Sequence, residues 1–260
     1  MDKLYIIKIG GNIIDDEARL KNFLEDFANL PGKKILVHGG GKLATRMAEE
    51  LGIEQQMVDG RRITDAATLR IVTMVYAGYI NKNIVARLQA NNCNAMGLCG
   101  ADGDIILAHK RSHPVIDYGF VGDVDAINSK LIQTLLESNV SLVFAPLTHD
   151  QQGLLLNTNA DTIAQELARG MSSQYEVSLI YSFEKAGVLL DANDDNTVIP
   201  IITPDYYKEL KNQQKIFAGM IPKLDNAFNA LKSGVKTVII GRAEELTRLV
   251  SGSSGTRIQT

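Results

Sequence analysis

Leu4-Tyr5-Ile6-Ile7-Lys8-Ile9-Gly10-Gly11-Asn12 is the stretch from which the fold is read. An apolar, β-branched run closed by glycines is a buried strand that ends in a tight turn. Lys8 stands near the C-terminal end of that strand, the edge at which open α/β sheets hold their ligands. Gly10 and Gly11 carry no side chains, so their backbone N–H groups can approach an anion closely, with an ammonium group beside them. A transferring phosphoryl group needs that combination. Taken alone, the stretch reads as readily as a strand lysine before an ordinary turn, and the rest of the chain has to decide.

Outward from this strand the pattern alternates. Leu20, Phe23, Leu24 and Phe27 have helical spacing between Asp15 and Leu30, and Pro31-Gly32 stops that helix. Lys34 to Val37 is a second strand, closed by His38-Gly39-Gly40-Gly41, and Lys42 to Leu51 a second helix with Gly52 as its C′ residue. A βαβα opening predicts a parallel sheet. Val58 to Ile63 reads as a hairpin turning on Asp59-Gly60. Thr64 is the expected N-cap of a long helix from about Asp65 to Ala90, whose apolar stripe includes Leu69, Val72, Tyr76, Ile80, Ile84 and Leu88. Strands are expected at 95–99, 105–108, 119–124, 141–146 and 154–156, with Asn128 capping a helix between them. Asn157-Thr158-Asn159-Ala160-Asp161 leads into a helix that reaches Gly170. Beyond it come a strand at 177–181, a hairpin around Asp191–Asn196, helices after Thr203 and from Lys223, a strand at 238–241 and a final strand at 255–258.

The 260 residues suit one large α/β domain or two lobes sharing a sheet. A net charge of −3 supplies no global field for nucleic acid or an anionic membrane, so an anionic substrate must be held by locally placed cations. No apolar run approaches the ~20 residues of a membrane span. The start on Asp2-Lys3 and a strand gives no signal peptide, so Cys93 and Cys99 read as free thiols in a reducing cytoplasm. Their spacing, with no nearby His pair, argues against zinc, and no metal site is expected.

Neither common nucleotide fingerprint is present: no G-x-x-x-x-G-K-[ST], and no G-x-G-x-x-G opening a helix. Gly39-Gly40-Gly41 before a helix still makes an anion hole from N–H groups and the helix N-terminus, although a loop needing positive φ explains it equally well. Arg62 can hold a carboxylate bidentately, or it can be half of a solvated pair with Arg61. Asn157 and Asn159 can cap a helix and still present amides to a cleft, or Asn159 can simply cap. Lys223 sits at a helix start, where the dipole disfavours a cation, and so invites a functional explanation.

The ordered set is more specific than any member of it. Lys8-x-Gly10-Gly11, Val37-His38-Gly39-Gly40-Gly41, Asp59-Gly60-x-Arg62-x-Thr64, Gly97-Leu98-x-Gly100-x-Asp102-Gly103, Gly119-x-Val121-Gly122, Asn157-x-Asn159-Ala160-Asp161, Gly219-Met220-x-x-Lys223 and Gly255-Thr256-Arg257-Ile258 occur in one order along nearly the whole chain. Together they resemble the acetylglutamate kinase subfamily of the amino-acid kinase family.

That resemblance implies a three-layer αβα sandwich with a mainly parallel central sheet. It implies an N-terminal lobe, residues 1–175, for the acylated amino acid and dimerisation, and a C-terminal lobe, residues 176–260, for ATP. The implied activity is transfer of the ATP γ-phosphoryl to the side-chain carboxylate of N-acetyl-L-glutamate, giving an acyl phosphate in arginine biosynthesis, with Mg2+ carried on ATP. Lys8 and Lys223 match the family's two lysines on the transferring phosphoryl, and Asp161 matches the carboxylate that orients both. Gly40, Gly41, Arg62 and Asn157 match substrate-binding positions, with Asn159 in the same motif. Gly10 and Gly11 match the phosphate-binding turn. Glu184, Gly187, Gly219 and Met220 fall at nucleotide positions. Glu184 stands where relatives carry Asp, and Ala218 where they carry Asp beside Gly-Met. A cytoplasmic, arginine-insensitive homodimer is also implied. The alternatives are an N-succinyl substrate, met by the basic loop His109–His113 with Lys110 and Arg111, and a non-catalytic amino-acid sensor on the same fold.

Overall fold

The computed structural model describes residues 1–58, 61–216 and 220–260. β1 (Lys3–Ile9) runs through Gly10 into the one-turn helix α1 (Gly11–Ile14), and α2 (Glu17–Asn29) begins at Asp16, whose side chain accepts from the Arg19 N–H. β2 (Lys33–His38), α3 (Gly41–Glu50), β3 (Met57–Val58) and β4 (Arg61–Arg62) follow. The expected hairpin forms, and its turn Asp59-Gly60 lies outside the described residues.

The long helix is continuous but not uniform. It consists of α4 (Ala66–Val72), a π-helical segment Thr73–Ile80 and α5 (Asn81–Ala90). Its cap corrects the sequence reading by one residue. Asp65, an acceptor-only side chain, caps the helix and takes the Thr68 N–H at 2.7 Å. Thr64 is instead consumed by pairing: its N–H donates to the Tyr118 carbonyl and its carbonyl accepts from Phe120, and it is fully buried.

Then come β5 (Ala95–Leu98), β6 (Ile106–Lys110), β7 (Gly122–Ile127), α6 (Ser129–Glu137), β8 (Ser141–Phe144), β9 (Leu147–His149), β10 (Leu155–Asn157) and α7 (Ala160–Met171). The last part of the chain holds β11 (Glu176–Phe183), β12 (Ile201–Ile202), α8 (Pro204–Asn212), α9 (Ile221–Lys232), β13 (Thr237–Arg242), α10 (Leu246–Ser251) and β14 (Thr256–Ile258). The expected hairpin around 191–196 shrinks to one bridge between Leu189 and Val198.

Eight strands form the main sheet in the order β12-β14-β13-β11-β1-β2-β8-β5, with only β13–β14 antiparallel. A four-stranded sheet, β10-β9-β6-β7, lies apart from it. The chain leaves β1 toward β2 and later leaves β11 toward β13 in the opposite direction. The crevice beyond the C-terminal ends of β1 and β11 is therefore a topological switch point, where open α/β sheets bind ligands.

Strand parity decides which side chains reach that crevice. Leu4 and Ile6 belong to the core on one face of the sheet, with Tyr181 and helices α7 and α9, whereas Ile7 and Ile9 belong to the other core, with α2 and α5. Side chains alternate across a strand, so Lys8 points with Leu4 and Ile6 to the α7/α9 face. Among the described residues no helix is long and apolar enough to cross a membrane. Cys93 is buried, Cys99 half-buried, and both are free thiols.

Candidate active site

The site is assembled at the C-terminal edge of the main sheet. Asn159 ends the approach to α7, and its side-chain oxygen accepts from the N–H groups of Asp161 (2.8 Å) and Thr162 (3.3 Å). This cap fixes Asp161 in the first helical turn, facing the sheet. Lys8 Nζ lies 2.7 Å from one Asp161 carboxylate oxygen, and Lys223 Nζ, from the first turn of α9, lies 2.5 Å from the other. Lys223 donates a hydrogen bond there. Lys8 sits at charge-assisted contact distance from the other oxygen, so each carboxylate oxygen faces one ammonium group.

All three side chains are largely buried, with exposures of 12, 15 and 20% for Lys8, Asp161 and Lys223. Burial by itself opposes ionisation of Asp161, but Lys8 and Lys223 overcome it and hold the carboxyl well below the usual carboxylate range. Lys223 is pushed below an ordinary lysine by burial and by Lys8, and Asp161 offsets part of that. An excess of one positive charge in a half-closed site, two cations to one anion, is an arrangement for receiving an anion. Tyr181 on β11 supports it from below: its ring lies 5.9 Å from Lys223 Nζ and its hydroxyl donates to the Asp161 carbonyl at 3.4 Å.

A cavity of about 200 Å³ adjoins this trio through Ala160. Gly39, Gly40 and Gly41 form one wall; Arg62, Tyr76, Arg111, Asn157 and Asn159 contribute to the rest. Gly40 has φ +146°, and a Cβ there would stand 2.3 Å from Ile80 Cδ1, so only glycine fits. No side chain caps α3, and its first N–H groups open onto this wall. Beside the other glycine turn, nothing lies within 4 Å of the place a Gly11 Cβ would take. Gly10 is different: its N–H donates to the Ser182 carbonyl at 3.0 Å, tying β1 to β11.

Arg62 is buried, and its guanidinium donates to the Gly41 carbonyl (2.9 Å), Thr45 Oγ1 (2.8 Å) and Gln55 Oε1. All three are neutral acceptors, which orient the cation without cancelling its charge. Arg111 differs: its guanidinium is matched by the Asp123 carboxylate, with contacts of 3.0, 3.1 and 2.5 Å. Lys110 and His109 likewise face Asp117 and Asp125. Asn157 Nδ2 donates to Thr64 Oγ1 at 3.0 Å.

The structure gathers expected site residues from five stretches of chain. Lys8, Asp161 and Lys223 meet directly; Gly40, Gly41, Arg62, Asn157 and Asn159 line the adjoining cavity. The nucleotide positions are more dispersed. Glu184 is exposed and near enough to Lys223 to favour its charge. Gly187 is buried where a Cβ would meet Thr256 Oγ1 at 2.7 Å, and Met220 is packed in the core. Gly219 and Ala218 lie outside the described residues. Arg111, named in the sequence only as part of a basic loop, lines the cavity, whereas Tyr76 and Tyr181 were not read as site residues. Tyr76 read as a member of an apolar stripe; it is buried in that stripe, within the π-helical segment, and its ring also stands beside Gly40.

Among the described residues no group of three or more His, Cys, Asp or Glu side chains is placed to hold a metal ion. A larger cavity, about 460 Å³, opens at the opposite edge of the sheet around Lys34. Lys34 there donates to the carbonyls of Ala28 and Leu30, both at 2.7 Å, and so closes the end of α2.

The amino acid kinase family profile matches residues 3–242. Acetylglutamate kinase of Cytophaga hutchinsonii is 58% identical over 254 residues, covering 96% of each chain. Acetylglutamate kinase of Phocaeicola vulgatus is 53% identical over 258 residues, covering 99% of each. Among solved structures, carbamate kinase from Giardia lamblia bound to AMP-PNP superposes with a TM-score of 0.69 at 15% identity, covering 99% of this chain and 98% of that one, a likeness of fold.

Proposed function

The chain belongs to the amino acid kinase family, and from that premise we infer that it is an acetylglutamate kinase. It transfers the γ-phosphoryl group of ATP to the side-chain carboxylate of N-acetyl-L-glutamate, a step of arginine biosynthesis. The observation that carries the mechanism is the meeting of Lys8 and Lys223 on the two oxygens of Asp161.

The chemistry asks for little else. A glutamate side chain, with a pKa of about 4.3, is ionised at neutral pH, so the nucleophile needs no general base. The obstacle is the approach of one anion to another. In-line phosphoryl transfer is served by positioning and by charges placed where negative charge spreads. Lys8 and Lys223 take the oxygens of the migrating phosphoryl. Asp161, firmly ionised, holds both ammonium groups apart and aimed, and its low pKa disqualifies it as a base. Arg62 and the N–H groups at Gly40 and Gly41 hold the acylated amino acid, with Asn157 beside them. The open turn at Gly11 receives phosphoryl oxygens. Magnesium enters as part of the substrate, MgATP.

The N-terminal lobe, residues 1–175, binds the acylglutamate; the C-terminal lobe, residues 176–260, binds ATP, with Glu184, Gly187, Gly219 and Met220 on the nucleotide side. Exposed Met74 and Tyr79 on the long helix support a homodimer formed across it. Two free thiols fit a reducing cytoplasm. The pairing of Arg111 with Asp123 compensates that guanidinium, which favours an uncharged acetyl group over a second carboxylate beside it. Incubation with MgATP and N-acetyl- or N-succinyl-glutamate, followed by hydroxylamine, tests this directly. Hydroxamate from the acetyl substrate is expected; none from either substrate overturns the kinase assignment.

A further inference from the structure

The kinase mechanism leaves one buried histidine without a task. His38 ends β2 and is wholly buried. It is no base for the reaction, since the acceptor is already a carboxylate and burial lowers the ring's pKa to about 4. Its surroundings define which nitrogen holds the proton. Nδ1 lies 2.8 Å from the Gly39 carbonyl oxygen, which only accepts, so Nδ1 is the N–H. Nε2 is then a bare acceptor, and Asn81 Nδ2 donates to it at 3.2 Å while also donating to the Val143 carbonyl at 3.0 Å. The Asn81 amide is fixed in turn by Lys82, whose Nζ donates to Asn81 Oδ1 at 3.2 Å and to the Gly97 carbonyl at 2.8 Å. A Cβ on Gly97 would stand 1.9 Å from Asn81 Oδ1, so the bare glycine is what admits this side chain.

The consequence lies one peptide further on. The C=O of Gly39 and the N–H of Gly40 belong to one planar trans unit and point in opposite directions. Drawing the Gly39 carbonyl inward to His38 turns the Gly40 N–H outward, to the cavity that Gly39, Gly40 and Gly41 line. That N–H finds no backbone acceptor among the described residues. We propose that His38 and Asn81 are positioning residues, a buried relay that aims the Gly40 N–H at an anionic oxygen of the reacting carboxylate and phosphoryl groups. The proposal rests on the kinase assignment above. Neither side chain touches substrate; both act through one peptide plane, and a preorganised donor of this kind acts most where charge develops.

The test compares two variants with opposite demands. His38→Asn keeps an N–H near the position of Nδ1 but is smaller and polar; His38→Leu fills the space but has no donor. The relay predicts that Leu lowers kcat by about 10²-fold, with KM for N-acetylglutamate changed by less than about threefold, and that Asn restores kcat to within about fivefold of wild type. A space-filling role predicts the reverse order and overturns the relay, as does unchanged kcat in a folded His38→Leu protein. Nitrogen-15 spectra of the wild-type histidines provide a second test that needs no variant. A proton on Nδ1 of His38 across neutral pH is expected, and a proton on Nε2 refutes the relay. Wild-type turnover separates the two claims: an inactive wild type defeats the kinase assignment, an active one with the wrong variant order defeats only the relay.

Discussion

Asp161→Asn is the substitution that isolates the electrostatic core of the mechanism. It keeps the shape of the side chain and its place beneath the Asn159 cap, but removes the charge between two ammonium groups. With Nζ atoms 2.7 and 2.5 Å from the two carboxylate oxygens, both ammonium groups remain within one small site. At a separation of about 5–7 Å, like charges repel by roughly 2–3 kcal/mol at an effective dielectric near 20. The figure needs little discount for solvent, because all three side chains are mostly buried. The repulsion is relieved by displacement of one lysine or by loss of its proton, and either removes a contact to the transition state. A kcat lowered by about 30- to 150-fold is the expected result. A second readout carries a sign. Lys223 already lies below an ordinary lysine through burial and Lys8, and Asp161 is what holds it up. Catalysis needs the protonated amine, so kcat falls as pH rises through the Lys223 pKa. In Asp161→Asn that descending limb moves to lower pH. Hydroxamate formation from N-acetylglutamate and MgATP, followed against pH, measures both. A variant with kcat within threefold of wild type and the same alkaline limb would refute the reasoning.

Three further perturbations address separate parts. Lys8→Met removes one cation from the migrating group, and kcat should fall by about 10²-fold or more, the scale of losing one preorganised donor; steady-state assays showing near-normal turnover would count against its role. Arg62→Gln leaves the cavity shape but removes its uncompensated charge. KM for N-acetylglutamate should rise by roughly 10- to 100-fold, a loss of about 1.5–3 kcal/mol for bonds to a charged group, with KM for ATP little changed. Asn159→Ala strips the cap from α7 and should cost about 1 kcal/mol, visible in denaturant unfolding, and turnover should drop with it because Asp161 loses the bond that seats it.

The parts of this molecule legible in the sequence share a cause: the signal lies within a few residues. β1, the glycine triplet and the cap at Asn128 each declare themselves locally, and the structure has all three. The parts that were not legible depend on remote partners. Thr64 and Asp65 are both good caps by type; Thr64 loses the position because its backbone pairs with the strand segment at Tyr118–Phe120, over fifty residues away. β9 and β12 are too short for any alternation to show, and they exist because neighbouring strands offer open edges. The π-helical winding of Thr73–Ile80 leaves no mark in an apolar run; Tyr76 is core, as its place in the stripe suggested, and it lines the cavity as well, which the stripe does not show. At the site itself, the ordered motifs pointed to Lys8, Asp161 and Lys223, but residue order says nothing of distance. Strand parity placed Lys8 on the right face, and α7 and α9 brought the other two to it.

The central claim is that two ammonium groups converge on one migrating phosphorus. A crystal structure with MgADP, N-acetylglutamate and a planar fluoroaluminate in place of the transferring group tests it most directly. Lys8 Nζ and Lys223 Nζ should each lie about 3 Å from an equatorial fluoride, with Asp161 still bridging them from behind. A complex in which either lysine keeps only its Asp161 contact and faces no fluoride would contradict the mechanism.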